Sequence, residues 1–98
     1  MVIWSAPAKT DLRYIHDFIA QDSPFYAKKV TQDIREKTDK LATLPKIGKV
    51  VAELNDESVK EIWLYSYRII YEIFEQDVFI LTIVHKRREL LADEILRV

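Results

Sequence analysis

The sequence has 98 residues, of which 49% are hydrophobic and 32% are charged, and its 15 Lys and Arg against 16 Asp and Glu give a net charge of −1. This length predicts one domain over residues 1–98 with a single modest core, and the composition is that of a folded protein rather than a disordered one. The charge balance argues against a protein that binds nucleic acid along an extended backbone, because phosphate neutralisation usually requires a basic excess.

A short strand and a first helix are predicted at the start of the chain. Residues 2–4 favour β-structure, and Ser5 followed by Pro7 is typical of a helix N-terminus. Apolar residues then recur at the spacing of one helical face, at Ala8, Leu12, Ile15 and Ile19. This pattern predicts a helix over residues 6–20.

A second, longer helix follows a short break. Ser23-Pro24 repeats the combination of N-cap and proline, and an apolar stripe runs from there to residue 44. Its members are Ala27, Val30, Ile34, Leu41 and Leu44. Pro45 and Gly48, the only glycine, end the helix, and we expect Gly48 to have a positive φ. The two helices should form an antiparallel hairpin.

From residue 50 the apolar period changes from that of a helix to that of a strand. We expect a weak strand over residues 50–54 and stronger strands over residues 59–65, 67–74 and 78–84. The last of these is almost continuously apolar, which indicates burial on both faces.

Residues 89–96 fit a short final helix, in which Leu90, Leu91 and Ile95 are available for packing. The predicted fold class is therefore α+β, with an N-terminal strand and a helical hairpin packed on a mainly antiparallel, twisted sheet.

The strand over residues 78–84 leads directly into His85-Lys86-Arg87-Arg88, which we call the basic segment. Because it follows a buried strand, the fold should hold it in place. His85 could act as a general base beside cations that hold phosphate, or it could be a structural residue at the strand end. We favour the structural role, since no second acid–base group is evident. For Lys86, Arg87 and Arg88 we favour binding of a partner over a solvated strand exit.

Arg68 and several aromatic residues are further candidates. Arg68 lies in a predicted central strand, where a guanidinium requires a partner, so a structural ion pair and a ligand contact are equally good interpretations. The aromatic residues are expected to form core and groove lining rather than base-stacking platforms, with some of them exposed for a partner. They are Tyr14, Phe18, Trp63, Tyr65 and Tyr67.

The composition also limits cofactors and location. The chain has no cysteine and two histidines, so we expect no metal site and no cofactor. No apolar run reaches the roughly 18 residues of a membrane span, and the N-terminus lacks the features of a secretory signal. We therefore expect a cytoplasmic protein without a membrane segment.

The ordered set of motifs resembles the ParE/RelE family of toxins from bacterial type II toxin–antitoxin modules. The motifs are Trp4-Ser5, Ala8, Asp11-Leu12, Ile15, Ser23-Pro24, Ala27, Leu44-Pro45, Gly48, Tyr67-Arg68-Ile69-Ile70-Tyr71 and Val84-His85-x-x-Arg88. The resemblance implies a helical hairpin on a twisted antiparallel sheet. It further implies a cognate antitoxin that wraps the toxin in a hetero-oligomer.

The two branches of this family differ in activity. RelE-like members are ribosome-dependent endoribonucleases that cut mRNA without a metal, and resemblance to them implies His85, Arg87, Lys46 and Lys49 as catalytic candidates. ParE-like members instead poison DNA gyrase and are not enzymes.

The residues of this chain favour the ParE-like branch. Asp93 stands where a RelE-like tyrosine is expected, and Trp63 stands where an arginine is expected. The surface implied for target or antitoxin binding consists of Trp63, Tyr65, Arg68, His85, Lys86, Arg87 and Arg88. A degenerate toxin that retains only antitoxin binding is the third interpretation.

Overall fold

The computed structural model describes residues 1–88 and 90–97. Strands and helices follow one another as β1 (Val2–Trp4), α1 (Ala6–Ala20), α2 (Pro24–Asp39), β2 (Lys49–Val50), β3 (Val59–Leu64), β4 (Tyr67–Phe74) and β5 (Asp77–His85). Two short 3₁₀ turns, Lys40–Ala42 and Ala92–Glu94, complete the regular structure of these residues.

The strands form a five-stranded sheet in the order β1-β5-β4-β3-β2. β1 is parallel to β5, and the other neighbours are antiparallel. The predicted α+β fold class is confirmed, and β4 is the central strand, as expected. β5 is largely buried on both faces, as its apolar sequence predicted.

Both helices begin where the sequence predicted. The Ser5 hydroxyl accepts a hydrogen bond from the Ala8 amide at 3.1 Å, and the Ser23 hydroxyl accepts one from the Tyr26 amide at 3.2 Å. The predicted end of the second helix is wrong, because α2 ends at Asp39 and a 3₁₀ turn follows. Leu41 is still buried, whereas Leu44 is 53% exposed and lies beyond the apolar stripe.

Two apolar clusters lie on opposite faces of the sheet, so the expectation of a single core is wrong. The helices cover one face, with a cluster of Ala8, Leu12, Ile15, Ile34, Leu41, Ile62, Ile69, Tyr71, Val78, Ile80 and Ile83. Loop residues after β2 and the segment after β5 contribute to the other, with Val51, Val59, Ile70, Leu81, Val84, Leu90 and Ile95. Burial of both faces explains why β4 and β5 are apolar throughout.

Helix α1 is attached to an irregular part of β5. The register between β4 and β5 shifts by one residue, because Ile70 pairs with Thr82 whereas Tyr71 pairs with Ile80. Leu81 is left as the extra residue of a bulge. The Ser5 hydroxyl donates to the Leu81 carbonyl at 3.0 Å. Asp11 accepts hydrogen bonds from the Thr82 hydroxyl at 2.5 Å and the Ile83 amide at 3.0 Å. These contacts satisfy polar groups of β5 next to the point where the short strand β1 ends.

Gly48 does not have the predicted positive φ. It is required for a different reason, since a Cβ atom there would lie 2.5 Å from the Tyr71 hydroxyl and 2.6 Å from the Glu61 carbonyl oxygen. The Gly48 amide donates to the Tyr71 hydroxyl at 3.0 Å, and that hydroxyl donates to the Pro45 carbonyl at 2.7 Å. Positive φ angles occur instead at Asn55, Tyr65 and Glu75.

Two other predicted elements differ from the structure. The weak strand over residues 50–54 is reduced to the end of β2, because the Val51 carbonyl accepts from the Leu54 and Asn55 amides and turns the chain. The final helix is replaced by the 3₁₀ turn Ala92–Glu94; Leu90 and Ile95 pack as expected, but Leu91 is 65% exposed. Glu89, where that helix was predicted to begin, lies outside the described residues.

Within residues 1–88 and 90–97, neither α1 nor α2 combines the length and the apolar character that crossing a bilayer requires.

Candidate binding surface at one end of the sheet

The basic segment lies against the turn that joins β3 and β4. Tyr67 pairs with His85, and the Lys86 amide donates to the Ser66 carbonyl at 2.7 Å. The backbone therefore holds the start of the basic segment beside Tyr65 and Ser66, as its position after a buried strand predicted. We call the surface formed by this turn, the basic segment and the adjoining groove beside β2 and β3 the sheet-end surface.

A groove of about 350 Å³ opens beside this turn, on the side of β2 and β3. Its lining residues are Lys49, Val50, Ala52, Glu61, Trp63, Arg68 and Lys86. Trp63 is 47% exposed, and the Lys49 ammonium lies 4.4 Å from the centroid of its ring, within the range of a cation–π interaction. The Trp63 indole N–H donates to Glu61. An exposed aromatic side chain thus shares the groove with two lysines.

Arg68 is buried in an ion pair with two carboxylates. Its terminal nitrogens donate to the two Glu53 oxygens at 2.8 and 2.9 Å, and one of them also donates to Glu61 at 2.5 Å. These hydrogen bonds raise the pKa of Arg68, and the Arg68 guanidinium lowers the pKa of Glu53. The structure therefore shows the ion pair of the structural interpretation; Arg68 also lines the groove, and its contact with a ligand stays a prediction. The two glutamates together carry more charge than Arg68. The positive charge of the groove therefore comes from Lys49 and Lys86.

Tyr65 connects the sheet-end surface to helix α2. Its φ is 54°, its side chain is 50% exposed, and its hydroxyl donates to Asp33. This hydrogen bond lowers the pKa of Asp33 and raises the pKa of Tyr65. Sequence reasoning did not find Asp33, since it resembles any other polar residue on the solvated face of a helix.

The four residues of the basic segment have different environments. The His85 Nδ1 accepts a hydrogen bond from the Arg87 amide at 3.2 Å, and the His85 ring meets the Tyr67 ring edge-on at 6.1 Å. Arg88 forms an ion pair with Glu94 at 2.6 Å. Lys86 lines the groove, and Arg87 is exposed without an ion pair to any described residue. Lys86 and Arg87 are therefore the charges that remain for a partner.

The four candidates for RNA cleavage do not converge on this groove. Lys49 lines it, whereas Lys46, His85 and Arg87 are not among its lining residues. One His85 nitrogen is already engaged by its own segment. Proton transfer requires a base and an acid placed around one reacting group, and of these four side chains only Lys49 lines the groove. In the part of the chain that the structure describes, no group of His, Asp and Glu side chains could hold a metal ion.

Of the aromatic residues that were predicted to line the core and the grooves, only some are buried. Tyr67 is half-buried against the first cluster, whereas Tyr14 and Phe18 are 73% and 60% exposed on α1. Some of these aromatic residues were expected to be exposed, and Tyr14 and Phe18 are exposed because they fall outside the α1 stripe that faces the sheet. Trp63 and Tyr65 are exposed at the sheet-end surface, where a partner could bury them.

The fold described above is a small α+β domain, with a helical hairpin on a five-stranded, mainly antiparallel sheet. The family model of the ParE toxin of type II toxin–antitoxin system, parDE, matches residues 2–90, and the chain belongs to this family. The prediction of the family from the sequence is therefore confirmed.

A solved structure has the same fold. It is described as the chromosomal ParDE TA system from P. aeruginosa, and one of its chains superimposes with a TM-score of 0.71 at 23% sequence identity. The match covers 86% of this chain and 92% of that chain. Comparison with curated proteins gave no match.

Proposed function

We propose that this toxin inhibits DNA gyrase by direct contact, without acting as an enzyme, and that a cognate antitoxin neutralises it by binding. Membership of the ParE family supports the gyrase target and the antitoxin partner. The observation that favours contact over RNA cleavage is that only one of the four RNA-cleavage candidates, Lys49, lines the groove of the sheet-end surface.

The sheet-end surface has the properties of a protein-binding site. Trp63 offers a large, half-exposed aromatic side chain, the residue type that most often dominates interface energetics. Lys49 and Lys86 line the same groove, and Arg87 follows Lys86 in the chain. Exposed cations around an aromatic anchor favour fast association with an acidic protein surface. We therefore assign target contact to Trp63, Lys86 and Arg87, with His85 as a structural residue.

The test is inhibition of DNA supercoiling by purified gyrase in the presence of this protein. Trp63→Ala and Lys86→Glu should each raise the concentration for half-inhibition about tenfold or more, since they remove an anchor or reverse a contact charge. Lys40→Glu makes the same charge change at an exposed residue of the 3₁₀ turn after α2, outside the groove, and should alter this concentration less than about threefold. Circular dichroism confirms that each variant is folded.

A parallel translation assay tests the alternative. Ribosomes programmed with mRNA should remain active, and His85→Ala should retain gyrase inhibition. Ribosome-dependent mRNA cleavage that His85→Ala abolishes would replace our proposal with the RelE-like mechanism. A folded protein that affects neither gyrase nor translation would indicate a degenerate toxin and would also contradict it.

A further inference from the structure

The Trp63 side chain is held by two polar contacts although nearly half of its surface is exposed. Its indole N–H donates to the Glu61 carboxylate, two residues earlier on the same face of β3. The Lys49 ammonium lies 4.4 Å from the centroid of its ring. Exposed side chains ordinarily exchange rotamers within nanoseconds, whereas this indole is restrained at its N–H edge and at one face.

The acceptor of this hydrogen bond is itself fixed from inside the protein. Glu61 is only 4% exposed, and one of its oxygens accepts from Trp63. Its other oxygen accepts from the Arg68 Nε at 3.2 Å and from a terminal nitrogen at 2.5 Å. Arg68 is held in turn by both oxygens of Glu53. A chain of hydrogen bonds therefore connects the exposed indole to the central strand β4.

The pairing of the strands places these side chains together. Trp63 lies directly opposite Arg68 on β4, and Glu61 lies opposite Lys49 on β2. β2 begins at its pair with Glu61, so Trp63, two residues further along β3, lies beyond that strand. Trp63 thus projects at the margin of the sheet, where contacts at its edge and face determine how the ring is presented to a partner.

The requirements of Arg68 alone do not explain Glu61. Both terminal nitrogens of Arg68 are already satisfied by Glu53, and burial of a second carboxylate is costly. Glu61 also reduces the positive charge of the groove, which weakens attraction of an acidic partner. The benefit that remains is a fixed Trp63, because a side chain that is already ordered loses less entropy when a complex forms.

We propose that Glu61 is a positioning residue, which holds the Trp63 indole in the orientation that contacts the target. Glu61 acts through Trp63 and not by touching the target, since it is buried and both of its oxygens accept hydrogen bonds from within the protein. This inference rests on the proposed function, in which Trp63 contacts gyrase.

Time-resolved fluorescence anisotropy tests the restraint in the free protein. The parent protein carries Trp4→Phe, which leaves Trp63 as the only tryptophan. Glu61→Met keeps the length of the side chain and removes the acceptor, so the amplitude of the nanosecond anisotropy decay should rise about twofold or more. Glu61→Gln keeps an oxygen that can accept from the indole, but without the charge that strengthens the bond, so its rise should be smaller.

Glu53→Gln is the matched control. It removes a charge from the other partner of Arg68 and leaves the hydrogen bond between Trp63 and Glu61 in place. A purely structural effect of the ion pair should therefore appear in Glu53→Gln as well, whereas a positioning effect should not. Circular dichroism confirms that each variant is folded at the assay temperature. If Glu61→Met does not fold, Glu61→Gln is compared with Glu53→Gln, and only Glu61→Gln should increase the motion of Trp63.

Inhibition of gyrase supplies the functional measurement, and its direction is informative. Loss of the Glu61 charge makes the groove more positive, which by itself would strengthen inhibition through an acidic target surface. Loss of orientation has the opposite effect. Glu61→Met should therefore raise the concentration for half-inhibition about threefold to tenfold, and Glu61→Gln should raise it less. Glu53→Gln, with the same change of charge, should not raise it.

Several outcomes would overturn the inference. Unchanged anisotropy in Glu61→Met would show that packing alone fixes Trp63. Undiminished inhibition by Glu61→Met would show that orientation is unimportant, and it would leave the proposed function standing. Equal effects of Glu61→Met and Glu53→Gln would assign both to the stability of the ion pair. A folded wild-type protein that leaves gyrase active would overturn this inference together with the proposed function.

Discussion

Gly48 lies where the loop after α2 meets β3 and β4, and the space beside its Cα is filled. The Tyr71 hydroxyl and the Glu61 carbonyl oxygen both lie closer than a Cβ atom tolerates. Gly48 is exceptional in the sequence because it is the only glycine, and we predicted from this a turn with a positive φ. Its contact with Tyr71 spans 23 positions and leaves no local pattern. The important residue was therefore predictable from sequence, whereas the physical reason for it was not.

Gly48→Ala should destabilise the fold by about 1–3 kcal/mol through overpacking, because β3 cannot move away without breaking its ladder. Urea unfolding monitored by circular dichroism measures the loss. Lys46→Ala in the same exposed loop should change stability by less than about 0.5 kcal/mol. Tyr71→Phe in the Gly48→Ala background should recover only part of the loss, since the Glu61 carbonyl stays in place. An unchanged midpoint for Gly48→Ala would contradict the packing described here.

At the scale of elements, the hydroxyls of the two N-cap serines, Ser5 and Ser23, make different numbers of hydrogen bonds. Ser23 accepts one hydrogen bond from the first turn of α2. Ser5 accepts the equivalent bond in α1 and also donates to the Leu81 carbonyl at the β5 bulge. Ser23→Ala should therefore cost about 1 kcal/mol, as for a typical cap, and Ser5→Ala about 2 kcal/mol, because a carbonyl also loses its partner. Denaturant unfolding of the two variants compares them directly, and equal losses would show that the bond to Leu81 has no energetic role.

The elements that the sequence predicted well are those with one clear periodicity. Both helix starts, β3, β4 and β5 follow from apolar spacing and capping residues. The segments around residues 50–54 and 89–96 were misassigned because Val51, Leu90 and Ile95 pack singly onto the second face of the sheet. Apolar residues that pack singly in this way leave no periodic pattern in the sequence. For the same reason Glu53 and Glu61 could not be predicted as the partners of Arg68. The basic segment could be located in the sequence because its four residues are contiguous.

For the molecule as a whole, the face of the sheet away from the helices depends on ionised carboxylates. The Arg68 guanidinium lowers the pKa of Glu53, and hydrogen bonds from Ser58 and then Arg97 lower the pKa of Asp56. A carboxylate whose pKa is lower in the folded state stabilises that state fully above its unfolded pKa, and the stabilisation disappears as the pH falls through the folded pKa. The protein should therefore lose stability progressively below about pH 5.

Glu53→Gln isolates one contribution to this acid sensitivity. At pH 7 it should destabilise the protein by about 1–3 kcal/mol, because Arg68 loses a charged partner. The difference from wild type should narrow as the pH falls towards 3, where Glu53 becomes protonated in wild type as well. Urea midpoints measured between these pH values give the comparison. Glu57→Gln, at a side chain that is 93% exposed, should follow wild type throughout. A gap for Glu53→Gln that stays constant with pH would refute the link between this ion pair and acid sensitivity.

The parallel pairing of β1 with β5 also has a consequence for synthesis of the chain. Val2 pairs with Val78, so the strand made first has no partner until most of the protein has been translated. The helical hairpin forms from local contacts, but its apolar face is covered mainly by β3, β4 and β5, which follow it in the chain. On the ribosome, the newly made hairpin therefore exposes the residues of the first cluster until β5 emerges. The five-stranded sheet can therefore be completed only after β5 has been made, because β5 is the neighbour of both β1 and β4.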